Sequence, residues 1–303
     1  MTVERPTTQN LHGIAAMLAA VFVFSIMDSS MKHLSQTYGA FEVACLRCMA
    51  SIVFLLLPIA VTNSWRSLRP ANPLLHVARA ALGIGMLGSF VYAVRRLSMA
   101  EAYALFLCAP LMVTALSVPL LGERVPMRRW LTIGAGLAGT LLMLRPKTNG
   151  FISIAAAAAA ASACCYALSA VSVRALGRSN SSAAMVMWFL VLVGIGSAIL
   201  AAPSWRTVEA GDWGWIALIG ISGALGQYWV TDAFRSAPPS VVAPFEYSAI
   251  LWAFAIDWVF WSVLPSVFVI SGATVVIGCG LAIIWDERRL GGLAATAAVS
   301  PPP

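Results

Sequence analysis

The sequence predicts an all-α membrane protein with ten transmembrane helices, arranged as two inverted five-helix repeats with both termini in the cytoplasm. Three observations support this fold class. Of the 303 residues, 60% are apolar and 10% are charged, whereas about 25% of the residues of a soluble domain are charged. Ten apolar stretches approach the roughly 20 residues that a helix needs to cross a bilayer. The two halves of the chain also resemble each other weakly.

The predicted helices follow one another with short connections, which leaves no room for a soluble domain. They lie near residues 11–33, 41–62, 74–94, 99–121, 127–144, 150–173, 182–202, 213–234, 240–262 and 265–285. The first stretch is longer than the apolar part of a secretory signal and leads into Asp28, so we interpret it as a retained helix. Residues 1–10 are expected to be a cytoplasmic segment. The small, uncharged tail at 290–303 is expected to be disordered.

The internal similarity has a fixed offset of 138 residues, which for example aligns Gly85 with Gly223. One offset aligns predicted helices 3, 4 and 5 with helices 8, 9 and 10, and it gives repeats at 11–145 and 150–286. An odd number of helices in each half makes the second copy enter from the opposite side of the membrane. This is the inverted-repeat arrangement of many secondary carriers.

The distribution of arginine and lysine predicts the orientation. Twelve of these residues lie on the side of the termini, with Arg79 counted among them, and six lie on the other side. Cytoplasmic loops carry the excess of positive charge. Both termini are therefore expected in the cytoplasm of a bacterial cell, with the protein in the inner membrane.

Local sequences in the first half carry a resemblance to a known family. Arg47 lies in CLRCMAS in helix 2, AEAYALFLCAPLMVTALSVPLLGER runs from Ala100 to Arg124, and IGAGLAG runs from Ile133 to Gly139. With these motifs the chain resembles the EamA-type members of the drug/metabolite transporter superfamily. The run from Gly223 to Ala253 is similar to the aromatic amino-acid exporter branch. The resemblance implies a central cavity, alternating access, and export of amino acids or related metabolites.

Polar residues inside the predicted helices are the candidates for a substrate site, because polar groups in lipid are costly and are concentrated at functional positions. On helix 8, Gln227 and Thr231 share one stripe with small residues. Glu246 on helix 9 lies at a similar depth, about 9 Å from the cytoplasmic end. The predicted substrate-binding residues are Tyr92, Tyr166, Gln227, Tyr228, Glu246 and Tyr247. An interhelical hydrogen bond far from substrate is the structural alternative for Gln227 and Glu246.

Charged residues within the helices are candidates for coupling or gating. Asp28 and Arg47 lie at similar distances from the outer ends of antiparallel helices, which predicts an ion pair. Glu101, near the outer end of helix 4, is a candidate gate or a solvated carboxylate. Glu246 is a candidate for exchanging protons, because a carboxylate held away from water binds protons more readily.

Two further patterns concern helix shape and hydrogen bonding. Pro110 and Pro244 lie inside predicted helices 4 and 9 and predict kinks that act as hinges. Ser162, Tyr166 and Ser169 share one face of helix 6. These residues either bind a polar substrate or bond back to their own helix.

The sequence disfavours other classes of function. Its three histidines include no H-E-x-x-H motif, and the nearest approach to G-x-S-x-G ends in Ala224, so an intramembrane enzyme is not expected. Catalytic residues, metal and cofactor are all predicted to be absent. The net charge of +7 is spread in short clusters between apolar runs, which argues against nucleic acid. The expected partners are the bilayer, a small-molecule substrate and protons.

Two substrate classes remain from the sequence. A lipophilic cation would be neutralised by Glu246 or Asp28. An amino acid also needs donors for its carboxylate, which Gln227, Tyr92 and the serines of helix 6 would supply. We therefore favour amino acids, aromatic and other neutral ones, over cationic drugs.

Overall fold

The part of the chain that the structure, a computed structural model, describes consists of helices and the short connections between them. This part comprises residues 6–70, 72–94, 96–97, 102, 105–144, 153–177, 179–252, 255 and 267–299. No strand occurs among these residues. An all-α fold is thus confirmed for the described residues.

The helices lie close to the positions that the sequence predicts. They are α1 (Pro6–Leu34), α2 (Ala40–Val61), α3 (Pro73–Val94), α4 (Ala109–Leu121), α5 (Met127–Leu144), α6 (Ile154–Leu176), α7 (Ser182–Ala201), α8 (Trp213–Ser236), α9 (Pro239–Val242) and α10 (Val267–Val299). A 3-10 segment, Ala243–Tyr247, directly follows the single turn of α9. Five described helices, α1, α2, α3, α6 and α7, are long and apolar enough to cross a membrane. Shorter apolar helices are α4 and the 270–286 part of α10.

Several helix ends have a local cause in the sequence. The hydroxyls of Ser153 and Ser181 each accept a hydrogen bond of 3.1 Å from the N–H three residues later, at the starts of α6 and α7. Such caps satisfy N–H groups that lack a partner in the first turn. Helix α4 ends at Gly122, whose φ of 72° is a left-handed conformation that glycine adopts without steric cost.

The two prolines predicted to act as hinges, Pro110 and Pro244, do not kink continuous helices. Pro110 is the second residue of α4, after a turn at Leu107 and Cys108, and Pro244 lies in the 3-10 segment. A proline lacks the N–H that an interior helical position donates, but it fits the first turn of a helix. The predicted helices at 99–121 and 240–262 are therefore interrupted near their prolines.

Helix α10 extends beyond its predicted end near residue 285, as far as Val299. It includes much of the segment at 290–303 that was expected to be disordered. Alanine and leucine dominate this stretch and have the highest helix propensities, which accounts for the difference.

Helices from the first half pack mainly against helices from the second half. Helix α1 lies along α8, α3 along α6, α5 along α10, and α2 packs against both α7 and α8. Glycines permit the closest of these contacts. A β-carbon at Gly220 would lie 2.6 Å from the β-carbon of Ala50, and one at Gly226 would lie 2.6 Å from the Phe24 ring. Small residues at helix interfaces are typical of membrane proteins.

We expect Gly220→Ala to destabilise the protein. The new methyl group would lie 3.0 Å from the backbone carbonyl carbon of Ala50 as well as against its side chain, and overpacking costs about 1–3 kcal/mol. The matched control is Gly278→Ala in α10, where no atom lies within 4 Å. The control should be neutral or gain up to about 1 kcal/mol from helix propensity. Equal melting temperatures for the two variants in detergent would contradict this packing.

Candidate functional site

A continuous group of polar side chains lies inside the bundle, where α2, α3, α6, α8 and the 3-10 segment meet. We call it the central polar cluster. Its members are Arg47, Arg79, Tyr166, Gln227, Thr231 and Glu246. Five of these residues lie inside helices, and Glu246 lies inside the 3-10 segment. The cluster is therefore formed within the apolar helical bundle and not in the connections between helices.

Gln227 connects α8 to α2. Its side chain is 7% exposed, and its Oε1 accepts a 3.3 Å hydrogen bond from Nη2 of Arg47. Gly223, one turn earlier, leaves the space that Arg47 occupies, since a β-carbon there would lie 3.3 Å from Nε. The Nε of Arg47 is buried and has no hydrogen-bond partner. The guanidinium thus has unused donor capacity inside the bundle.

Asp28 lies at one edge of this cluster, on α1. The charge of Arg47 acts on its carboxylate, but the ion pairs within 4.0 Å among the described residues do not include Asp28 with Arg47. The predicted direct ion pair is therefore wrong, because Arg47 extends towards Gln227 on α8. Asp28 remains exposed.

Arg79 is buried in α3, with 3% of its surface exposed. The structure corrects the assignment of Arg79 to the cytoplasmic charges, because the residue lies six positions inside the helix. Its Nη1 donates to the carbonyl of Met185 at 3.0 Å and its Nη2 to Thr231 Oγ1 at 3.5 Å. The predicted helix at 74–94 already contains residue 79, so the sequence itself indicated this depth.

Tyr166 lies close to Arg79 and Glu246. Its hydroxyl is close enough to Glu246 and to Arg79 for the charges of both groups to act on it. Oε1 of Glu246 is buried without a hydrogen-bond partner. Gln227 and Glu246 thus contact different partners, Arg47 and Tyr166, and no direct hydrogen bond between them is found.

The other predicted tyrosines lie outside the central polar cluster. Tyr92 is 37% exposed near the end of α3, with the Arg96 guanidinium 4.0 Å from its ring centroid. Tyr228 is 38% exposed on another face of α8. Tyr247 is buried, and its ring packs where Gly136 has no side chain. Glu101 lies outside the described residues.

Ser162 and Ser169 of α6 are buried in contacts within the protein. Ser162 donates a 2.9 Å hydrogen bond to the carbonyl of Met86 on α3. Ser169 is buried one turn beyond Tyr166. Of the predicted stripe, only Tyr166 therefore reaches the central polar cluster.

Hydrogen bonds join the α1–α2 connection to the α7–α8 connection at one end of the bundle. The Tyr38 hydroxyl donates to Asp212 at 2.7 Å and accepts from the N–H of Glu209 at 3.0 Å. The Glu209 N–H lowers the pKa of Tyr38, but its hydrogen bond to Asp212 and the charges of Asp212 and Glu209 raise that pKa overall. The phenol therefore stays neutral and remains a donor.

Glu42 strengthens the same junction. Its side chain is 1% exposed, and Oε1 accepts a 2.8 Å hydrogen bond from the N–H of Arg206. Oε2 accepts from the N–H of Gly39 at 3.3 Å. Arg206 also donates to the carbonyl of Thr37 at 3.0 Å. We call these contacts, with those of Tyr38, the Tyr38–Glu42 junction.

Hydrogen bonds also join the connections and helix ends at the opposite end of the bundle. The Ser181 hydroxyl donates to the carbonyl of Ser67 at 2.7 Å, which joins the α6–α7 and α2–α3 connections. His12 on α1 is 2.8 Å from Asp232 on α8, and Ser182 donates to the same carboxylate at 2.9 Å. Both ends of the central polar cluster are thus closed by hydrogen bonds between the two halves.

No metal centre is found in the described part of the chain. Groups of three or more His, Cys, Asp or Glu side chains able to hold an ion do not occur there. All six cysteines are free thiols. The chemistry that the cluster offers is hydrogen bonding and charge, supplied by two guanidiniums, a carboxylate, an amide and two hydroxyls.

Comparison with known proteins shows that the chain is similar to transporters. Residues 11–145 match the EamA-like transporter family. A pseudopaline exporter of Pseudomonas aeruginosa is 27% identical over 89% of the chain and 95% of its own length. The riboflavin transporter of Vibrio cholerae is 28% identical (92% and 95%), and an S-adenosylmethionine uptake transporter of Rickettsia prowazekii is 24% identical (92% and 94%). These relatives are transporters and not enzymes.

The fold also matches a solved crystal structure. The TM-score is 0.80, with 94% of this chain and 99% of the other chain covered. The sequence identity of 19% makes this a similarity of fold alone.

Proposed function

We propose, from the premise that this chain belongs to the EamA-like transporter family of the drug/metabolite transporter superfamily, that it exports amino acids and related small metabolites across the bacterial inner membrane. The mechanism is alternating access between two inverted repeats of five helices. The observation that carries the proposal is the central polar cluster. A group of partly unpaired donors inside apolar helices is costly unless it serves a polar ligand.

The helix packing supports two inverted repeats, 11–145 and 150–286. In such repeats α1 corresponds to α6, α2 to α7, α3 to α8 and α5 to α10. The contact between α1 and α8 then corresponds to the contact between α6 and α3, and the contact between α2 and α8 corresponds to that between α7 and α3. The contacts α2–α7 and α5–α10 correspond to themselves. The junctions between connections follow the same exchange. A pseudo-two-fold relation between the halves is the arrangement that places a carrier's site at the repeat interface.

The composition of the cluster supports an amino acid over a lipophilic cation. Arg47 and Arg79 bring two positive charges close to the site, which would repel a cation. The same guanidiniums, with Gln227, offer donors to a carboxylate. Glu246 and Asp28 offer acceptors for an ammonium group. The relatives are named for substrates of several kinds, so this choice rests on the residues of the cluster.

A counterflow screen tests the proposed function. The purified protein would be reconstituted in liposomes loaded with unlabelled compound, and labelled phenylalanine, leucine or tetraphenylphosphonium would be added outside. We expect transient accumulation of the neutral amino acids and none of the cation. Accumulation of the cation alone would replace the proposal with a drug exporter.

The orientation has its own test. Without Arg79, eleven positive residues remain on the side of the termini against six on the other, so both termini are still expected in the cytoplasm. In a cysteine-free background, Ser204→Cys between α7 and α8 should react with an impermeant thiol reagent added to intact spheroplasts, and Met127→Cys should not. Both side chains are exposed, so the opposite labelling pattern would overturn the orientation.

A further inference from the structure

Arg79 is a buried cation that has no acidic partner among the described residues. The ion pairs found among the described residues join histidines to aspartates, and Arg79 takes part in neither. Its two hydrogen bonds, to a carbonyl and a hydroxyl, use two of the five donors of a guanidinium. Nε is buried and has no partner. The charge of this side chain is therefore uncompensated within the described chain.

A purely structural role explains this residue poorly. The guanidinium lies 4.6 Å from the ring centroid of Phe189, which is favourable for a cation but does not neutralise it. Burying an unpaired charge is costly, and intramembrane arginines usually pair or mark a ligand path. An uncharged side chain of similar length would fill the same space without that cost.

The surroundings of Arg79 indicate which ligand would supply the missing charge. Thr231 joins it to α8, one turn from Gln227. The charges of Arg79 and Glu246 both act on Tyr166, and the ring of Phe106 lies 5.8 Å from the Tyr166 ring. A donor for an anion, an acceptor for an ammonium group and an aromatic surface thus all occur in the surroundings of Tyr166.

We propose that Arg79 binds the carboxylate of the transported molecule, while Glu246 faces its ammonium group. The substrates would then be zwitterions or anions that carry at least one carboxylate. Guanidinium and carboxylate form paired, charge-assisted hydrogen bonds, and the pair would neutralise Arg79 during transport. This inference rests on the proposed function and adds to it the group that recognises the substrate.

The test compares two inhibitors that differ only in the carboxylate. Counterflow of labelled phenylalanine would be measured with unlabelled phenylalanine or phenylalaninamide as competitor, in the wild type, Arg79→Lys and Arg79→Gln. We expect the wild type to prefer the acid by about tenfold or more, as for other lost charge-assisted bonds. Arg79→Lys should keep part of the preference. Arg79→Gln should lose it, and Arg128→Gln, an exposed control, should retain it.

A second measurement covers a variant that does not transport. Thermal unfolding of the purified proteins would be followed with succinate or with chloride at equal ionic strength. Succinate should raise the melting temperature of the wild type and not that of Arg79→Gln. The inference would be overturned if Arg79→Gln kept the preference for the acid, or if succinate raised the melting temperature of both proteins equally. Neither result would contradict the proposed transport of amino acids. Failure of wild-type counterflow would instead reject the proposed function.

Discussion

Replacing Gln227 by alanine or Glu246 by glutamine should abolish or sharply reduce amino-acid transport while folded protein remains in the membrane. Gln227→Ala removes the acceptor of the Arg47 hydrogen bond. A lost partner for a buried donor costs about 1–3 kcal/mol, equivalent to about 5- to 150-fold in binding. Glu246→Gln replaces the carboxyl group beside Tyr166 by an amide that cannot ionise. Counterflow of labelled phenylalanine in liposomes is the measurement.

Matched substitutions outside the cluster provide the controls. Arg128→Gln changes an exposed guanidinium near the start of α5, and Thr274→Ala removes an exposed hydroxyl that bonds to its own helix. Both should transport like the wild type. Wild-type rates for Gln227→Ala and Glu246→Gln would show that the cluster is a packing feature and that the substrate binds elsewhere.

Glu246→Gln also separates two roles for the carboxylate. If Glu246 exchanges protons, the variant should lose dependence on a pH gradient and still exchange substrate for substrate. If Glu246 holds the ammonium group, exchange itself should be lost. Amide and carboxyl groups have nearly the same shape. A difference between Glu246→Gln and the wild type therefore reflects the ionisable group and not packing.

The second large effect is expected at the Tyr38–Glu42 junction. Glu42→Ala leaves the N–H groups of Arg206 and Gly39 without their buried acceptor. Hydrogen bonds to a charged group contribute about 1.5–3 kcal/mol each, and 1.4 kcal/mol corresponds to tenfold. Opening at this end should therefore become at least about tenfold more frequent.

A buried reporter makes the opening measurable. Ser30 is 1% exposed on α1, and Ser30→Cys in a cysteine-free background is a small change. An impermeant thiol reagent added from the Tyr38 side should label this cysteine faster when Glu42 is alanine. His12→Ala, which breaks the bond to Asp232 at the opposite end, should not accelerate labelling. Equal rates in all three proteins would mean that the junction does not limit access.

The positions of the helices are readable from the sequence because apolar stretches of bilayer length are a strong signal. Residues 127–144 were predicted as a helix, and the structure has Met127–Leu144. The predicted kinks at Pro110 and Pro244 are not found, because a sequence does not show whether a proline kinks a helix or lies in its first turn. Pro110 is the clearest case, at the second position of α4.

The partners of the polar residues are not readable in the same way. Spacing places Gln227 on a small-residue stripe, but only the packing of α2 on α8 brings Arg47 to it. Arg79 was counted by its charge, whereas the packing of α3 against α7 and α8 determines its burial. Side-chain contacts across helices distant in sequence depend on the tertiary fold, which hydropathy does not encode.

Equilibrium binding of labelled phenylalanine to the purified protein tests the central claim most directly, because binding does not depend on orientation, driving force or conformational rates. The wild type should bind saturably, Gln227→Ala and Glu246→Gln should bind about 5- to 150-fold more weakly, and Arg128→Gln should match the wild type. Equal affinities in all four proteins would contradict the assignment of the central polar cluster as the substrate site. Binding of tetraphenylphosphonium in place of phenylalanine would contradict the proposed substrate class.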